Sequence, residues 1–175
     1  MKRFLWLIPA ILFVGLTAQA QETPEWEVSG GYSYLRSNLQ GSSFGLNGGY
    51  GSVSQNLNNW FGGRFEINAY GGTISRNNVS AQTFTYGPTF SYRRFERITP
   101  FGEFALGAVH GSDNYLGISA SAWKFALTTG GGIDYNINQR VAIRLKADYL
   151  LTTFLSLRQD NVSASAGLVF RFGQK

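Results

Sequence analysis

A chain of 175 residues with 14% charged residues and a net charge of +5 departs from an ordinary soluble domain, in which about 25% are charged. So small a basic surplus, with no clustered Lys/Arg run, argues against a nucleic-acid partner. One histidine and no cysteine leave nothing for disulfide staples or a zinc site.

The first segment reads as an export signal. Lys2 and Arg3 form a positive start, Phe4 to Leu16 is almost wholly apolar, and Ala18-Gln19-Ala20 supplies a small-x-small cleavage pattern. The apolar run is short for a membrane helix, which needs about 20 residues. Residues 1–20 are therefore expected to be a cleaved signal peptide and 21–175 the mature domain, its charge reduced to +3 by the loss of Lys2 and Arg3. No later stretch approaches a spanning apolar helix. The 22 glycines and 27 aromatic residues (14 Phe, 9 Tyr, 4 Trp) favour sheet.

From there the dominant signal is period-two alternation. The first strand, Trp26–Leu35, sets Trp26, Val28, Tyr32 and Tyr34 against Glu27, Ser29 and Ser33. The second, about Phe44 to Ser52, places Phe44, Leu46 and Tyr50 on its apolar side. The third, about Trp60 to Gly71, sets Phe61, Phe65, Ile67 and Ala69 against Arg64, Glu66 and Asn68. The fourth, about Gln82 to Arg93, sets Phe84, Tyr86, Phe90 and Tyr92 against Thr83, Thr85, Thr89 and Arg93.

In the fifth, Phe104, Leu106 and Ala108 oppose Glu103 and Gly107. In the sixth, Trp123, Phe125, Leu127, Ile133 and Tyr135 oppose Lys124, Thr128 and Asp134. In the seventh, Val141, Ile143, Leu145 and Tyr149 oppose Arg144, Lys146 and Asp148. The eighth sets Val162, Leu168, Phe170 and Phe172 against Asn161, Ser163 and Arg171. Connections Ser54–Asn59, Phe95–Ile98 and Asn136–Gln139 read as short. Arg36–Ser43, Gly72–Ala81, Gly111–Ala120 and Thr152–Asp160 read as longer outer loops.

Eight strands of about ten residues have the length and even number of a transmembrane barrel. A soluble lipocalin-like barrel has the same strand number. It is set aside because the apolar face carries no charge in any strand, and because the opposite face is rich in Gly, Ala, Ser and Thr, which suits a narrow lumen. Aromatic residues also gather toward the strand ends, as membrane girdles do. Trp26, Tyr50, Phe61, Phe90, Tyr92, Tyr135, Phe170 and Phe172 are assigned to the inner girdle. Tyr34, Phe44, Phe84, Tyr86, Trp123 and Tyr149 are assigned to the outer one. The fold expected is an all-β, eight-stranded antiparallel up-and-down transmembrane barrel.

On Gly48-Gly49-Tyr50-Gly51, Pro100-Phe101, Leu106-Gly107-Ala108, Gly130-Gly131-Gly132-Ile133-Asp134, Arg144 to Tyr149 and Ala166 to Phe172, the mature chain resembles the OmpA-like or porin-like outer-membrane β-barrel family. The resemblance implies an integral protein of a Gram-negative outer membrane, with outer-membrane lipids and lipopolysaccharide around its wall. It implies that the last strand, through Phe170 and Phe172, is the signal read by the barrel-assembly machinery. The chain ends at Lys175, so no peptidoglycan-binding domain is expected.

Little catalytic chemistry is visible. His110 and Ser112 would share a face as in a lipid A deacylase barrel. The orienting acid that nucleophilic catalysis needs is missing: Lys124 stands twelve residues on, and Asp113 points the other way. A loop-edge His and a turn Ser is the simpler reading. Asn78-Val79-Ser80 and Asn161-Val162-Ser163 match a glycosylation pattern of no weight in a bacterial barrel. No phosphate loop, metal or cofactor is expected, and no enzyme. A structural or surface-interaction barrel is favoured over a permeability barrel or a lipid-modifying enzyme.

The inward faces supply Arg64, Arg93, Lys124, Arg144, Lys146 and Arg171 against Glu27, Glu66, Glu103, Asp134 and Asp148. Near-balance suits mutual pairing in a plugged lumen. Glu66 and Glu103 are expected at its centre with Arg64, Arg144 and Lys146 around them, and Asp134 opposite Arg144.

Overall fold

The computed structural model describes residues 23–39, 42–74, 77–115, 118–154 and 157–174. The signal segment, 1–20, lies outside them. Eight strands follow in chain order: β1 (Pro24–Leu39), β2 (Ser42–Asn56), β3 (Phe61–Ile74), β4 (Asn77–Ser91), β5 (Ile98–Tyr115), β6 (Ile118–Asn136), β7 (Val141–Phe154) and β8 (Leu157–Gln174). Each pairs antiparallel with its sequence neighbour, and β8 returns to β1, closing the sheet. Closure leaves no unpaired edge, which is the condition for backbone to stand in hydrocarbon.

From Val28 through Val53, Phe65, Tyr86, Leu106, Leu127, Leu151 and Asp160, the register circles the wall. It returns to β1 one residue beyond the Ser37–Asn161 pair, a stagger of ten. Staggered closure tilts strands by roughly 35–45°, so about ten residues of each cross the bilayer. The strands run from 14 residues in β3 and β7 to 19 in β6. Every hairpin therefore outreaches the hydrocarbon.

The expected contrast in connection length is reversed. At the outer end the strands continue through most of 36–43, 72–81, 111–120 and 152–160, and only two residues separate Leu39 from Ser42 or Tyr115 from Ile118. Ser, Asn and Gly read as loop, but a strand leaving the membrane into water has the same composition, and its pairing rests on backbone bonds. At the opposite end, β2 stops at Asn56 and β3 starts at Phe61; β6 stops at Asn136 and β7 starts at Val141. Both turns use one device. Asn58 Oδ1 accepts from the amides of Trp60 and Phe61 (3.0 and 2.8 Å), and Asn138 Oδ1 from those of Arg140 and Val141 (both 2.8 Å). The side chain imitates a backbone acceptor and fixes the turn.

Alternation decides what each face meets. Phe65, Leu106, Phe125, Ile133, Leu145 and Leu168 stand exposed on the wall, which is the pattern of a surface solvated by lipid. The other face is buried although much of it is polar: Ser33, Asp134 and Arg144 are at most 2% exposed.

Candidate functional site

The lumen gathers side chains from all eight strands into three layers. The layer nearest the chain ends holds Glu27, Arg93, Asp134, Arg144 and Arg171. Arg144 forks onto Asp134 with Nε and Nη2, both at 2.7 Å, and reaches Glu27 at 3.2 Å. The β6–β7 register sets these two residues opposite each other, which gives the fork its planar bidentate geometry. Arg93 pairs with Glu27 at 2.9 Å, and Arg171 lies 3.4 Å from Glu27 and 3.5 Å from Asp134. Three guanidiniums face two carboxylates.

The middle layer reverses that imbalance. Lys146 Nζ, wholly buried, sits between Glu66 (2.6 Å to each oxygen), Asp148 (3.0 Å) and Glu103 (3.3 Å). Arg64 binds Glu103 and donates to Ser54 at 2.9 Å. Two cations thus meet three carboxylates. The Phe101 ring joins the layers, with the Arg64 guanidinium 4.8 Å and the Arg144 guanidinium 4.6 Å from its centroid. Cations over a desolvated ring are attracted to its negative face. Taken together the two layers balance, which is how a confined space of low dielectric tolerates charge at all.

Oxygens of Glu66, Glu103 and Asp148 lie within 4.8 Å of one another, a spacing that suits a hard cation. The Lys146 ammonium takes that position, touching all three, so the trio serves an internal ion pair.

The layer toward the outer end is apolar, against the expectation of a polar core throughout. Leu35, Leu46, Tyr70, Val109, Ala126 and Leu150 cluster there, each at most 9% exposed. Tyr70 links it to the polar layer: its hydroxyl meets Ser33 Oγ at 3.0 Å and Asn68 Oδ1 at 3.3 Å, and Ser33 bonds Ser165 at 2.7 Å.

Of the network residues expected from the sequence, Arg64, Glu66, Glu103, Lys146 and Asp148 come together in one layer, and Asp134 and Arg144 in the other. One placement is corrected. Arg144 belongs with Asp134 and Glu27 and bonds neither Glu66 nor Glu103 in any described ion pair, so Lys146 is the centre. Lys124 lies on the lumen side of β6 opposite Val109, partly exposed, at the level of the apolar layer and above both ion-pair clusters.

Girdle positions separate as well. Trp26, Tyr34, Tyr86, Phe90, Tyr92, Trp123, Tyr135, Phe170 and Phe172 are exposed on the wall, and Phe61, Phe84 and Tyr149 are half-buried there. Rings of Trp60, Phe61 and Phe90 pack at 5.4–6.1 Å between centroids. Tyr50 is the correction: it is 6% exposed and turned into the lumen, with Lys146 Nζ 5.2 Å from its ring. The side chain of Phe44 lies outside the described residues. β2 was misread because its wall face is Gly45, Asn47, Gly49 and Gly51, with no apolar stripe. Neighbouring rings cover it instead: Tyr34 lies over Gly45, where a Cβ would come 2.3 Å from its hydroxyl, and Tyr32 donates to Asn47 Oδ1 at 2.5 Å. The signal was present farther along, since Tyr50 shares its parity with Ser52, Ser54 and Asn56. Phe101 was missed likewise, although it shares the face of Glu103.

His110 stands on the lipid side against Trp123, centroids 4.7 Å apart. The side chain of Ser112 lies outside the described residues, and Lys124 faces the lumen. Among the described residues this neighbourhood assembles no nucleophile, base and orienting acid.

No curated protein sequence matches this chain. Solved structures do. Neisserial surface protein A superposes with a TM-score of 0.75 at 12% identity, over 87% of this chain and 100% of that one. Ail, the attachment invasion locus protein of Yersinia pestis, gives 0.60 at 20% identity over 84% and 99%. The N-terminal β-barrel domain of Pseudomonas aeruginosa OprF gives 0.58 at 13% identity over 87% and 100%. These identities establish the fold. The profile of the outer membrane protein beta-barrel domain matches residues 7–170, nearly the whole chain, and the protein belongs to that family of outer-membrane β-barrels.

Proposed function

We propose that this barrel is non-catalytic and closed, acting as a structural and surface-interaction element of the outer membrane rather than as a channel or an enzyme. One observation supports the reading: two ion-pair layers and an apolar layer above them face the lumen, with Arg144, Asp134 and Ser33 at most 2% exposed. A solute path would have to break buried charge pairs, which costs about 3–5 kcal/mol each. An eight-stranded barrel has room only for its own side chains.

The surface role rests on the strands that outreach the bilayer, above all β5 and β6 with 18 and 19 residues. Their paired backbones form a stiff ladder beyond the headgroups on which side chains are displayed. Exposed rings at both strand ends anchor the wall in surrounding lipid and lipopolysaccharide. Export by a cleaved signal peptide and recognition of Phe170 and Phe172 by the assembly machinery complete the reading. Planar-bilayer recording of the refolded barrel tests it. No sustained conductance is expected, and steady porin-sized conductance would replace it with a transport function.

A further inference from the structure

The barrel mouth beside the chain ends is a cavity of about 1060 Å³ in which positive charge is left over. Arg93, Arg97, Arg140 and Arg171 line it, with Glu96 as the one carboxylate among the described lining residues. Arg93 and Arg171 form its floor. They are 9% and 8% exposed; the buried Nε–H of Arg93 donates to no acceptor, and that of Arg171 faces Glu27 at 3.4 Å without completing a hydrogen bond. Their usual partners are already committed: Glu27 serves Arg93, Arg144 and Arg171, and Asp134 is forked by Arg144. Arg171 Nη1 turns to the neutral Asn136 at 2.7 Å. Unfilled guanidinium capacity at a buried site is costly, and the local deficit is of anions.

The cavity also has an apolar side. Phe170, Phe172 and Val141, which belong to the lipid-facing wall, line it together with the arginines; Phe172 is 55% exposed. An exported chain inserts from the periplasm, and an even number of strands brings both ends back to that side. This mouth therefore stands at the headgroup level of the periplasmic leaflet. We propose that it is a binding site for the phosphate of an anionic phospholipid, with the acyl chains along Phe170 and Phe172 and the phosphate oxygens against the arginines. Guanidinium groups match phosphate by planar, charge-assisted hydrogen bonds.

The test uses the full chain refolded in detergent and native mass spectrometry after incubation with phosphatidylglycerol or phosphatidylcholine of the same acyl chains. Arg97 and Arg140 are exposed, so R97A/R140A is expected to fold, which the gel shift on heating verifies. The unmutated barrel should retain phosphatidylglycerol about tenfold better, because the choline cation of the other lipid is repelled by the arginines that hold the phosphate, and R97A/R140A should lose that preference. Equal retention of the two lipids, or a preference unchanged in the variant, would overturn the site. Inorganic phosphate is added as a competitor. Displacement of phosphatidylglycerol by equimolar phosphate would assign the site to free phosphate and overturn the lipid.

Discussion

Lys146→Met removes the centre of the middle layer while nearly conserving its volume, so the cost is electrostatic and not that of a cavity. Lys146 Nζ contacts Glu66, Glu103 and Asp148 at 2.6–3.3 Å and is wholly buried. Without it, three carboxylates within 4.8 Å share Arg64 alone. One pair at about 4 Å is worth about 4 kcal/mol at an effective dielectric near 20, and breaking a buried pair by deleting one partner costs about 3–5 kcal/mol. A destabilisation of that size is predicted for Lys146→Met, measured by urea unfolding in lipid vesicles with tryptophan fluorescence. Glu66→Gln in the same background should recover part of it, and a double-mutant cycle isolates the coupling. A loss below about 1 kcal/mol would mean that water screens the cluster as in an open pore, and the reasoning would fail.

Leu145 stands 51% exposed in the middle of β7, so Leu145→Arg should cost about 2–4 kcal/mol at bilayer depth; unchanged stability would reverse the assignment of the wall. Phe172→Ala should lower outer-membrane levels in cells more than Phe90→Ala does, while the two refolded barrels unfold alike; equal levels would deny the last strand a special part in assembly. At Gly107 a Cβ would come 1.8 Å from the Phe84 carbonyl oxygen, whereas at Gly71 it meets nothing within 4 Å. Gly107→Val should therefore cost about 1–3 kcal/mol more than Gly71→Val by overpacking, read from the same unfolding curves.

Strand number and facing are legible because a one-residue slip would turn every charge outward into lipid. In β3, Arg64, Glu66 and Asn68 alternate with Phe65 and Ile67 and leave no second reading. The Asp134–Arg144 pair is legible too, since a short turn between adjacent strands fixes which residues face each other. The partners of Lys146 are less so: Glu66 comes from β3 and Glu103 from β5, and only the closed wall brings them across the lumen. The facing of β2 was hidden for another reason. Leu46 and Tyr50 are as hydrophobic as wall residues, and period two alone does not say which face is lipid when the true wall face is glycine. Only the covering by Tyr32 and Tyr34, which comes from the next strand, makes a glycine wall workable.

The closed lumen is tested most directly at Ser33, which is fully buried and bonded to Tyr70 and Ser165 beside Lys146. The chain has no cysteine, so Ser33→Cys introduces a single reporter. In the barrel refolded into vesicles, a charged, membrane-impermeant thiol reagent should leave this cysteine unmodified until urea unfolds the protein. A cysteine placed at exposed Asn138 should react at once. Modification of the folded Ser33→Cys barrel at the rate of Asn138→Cys would contradict the account, because it would put water and solute in the space that the ion pairs are held to fill.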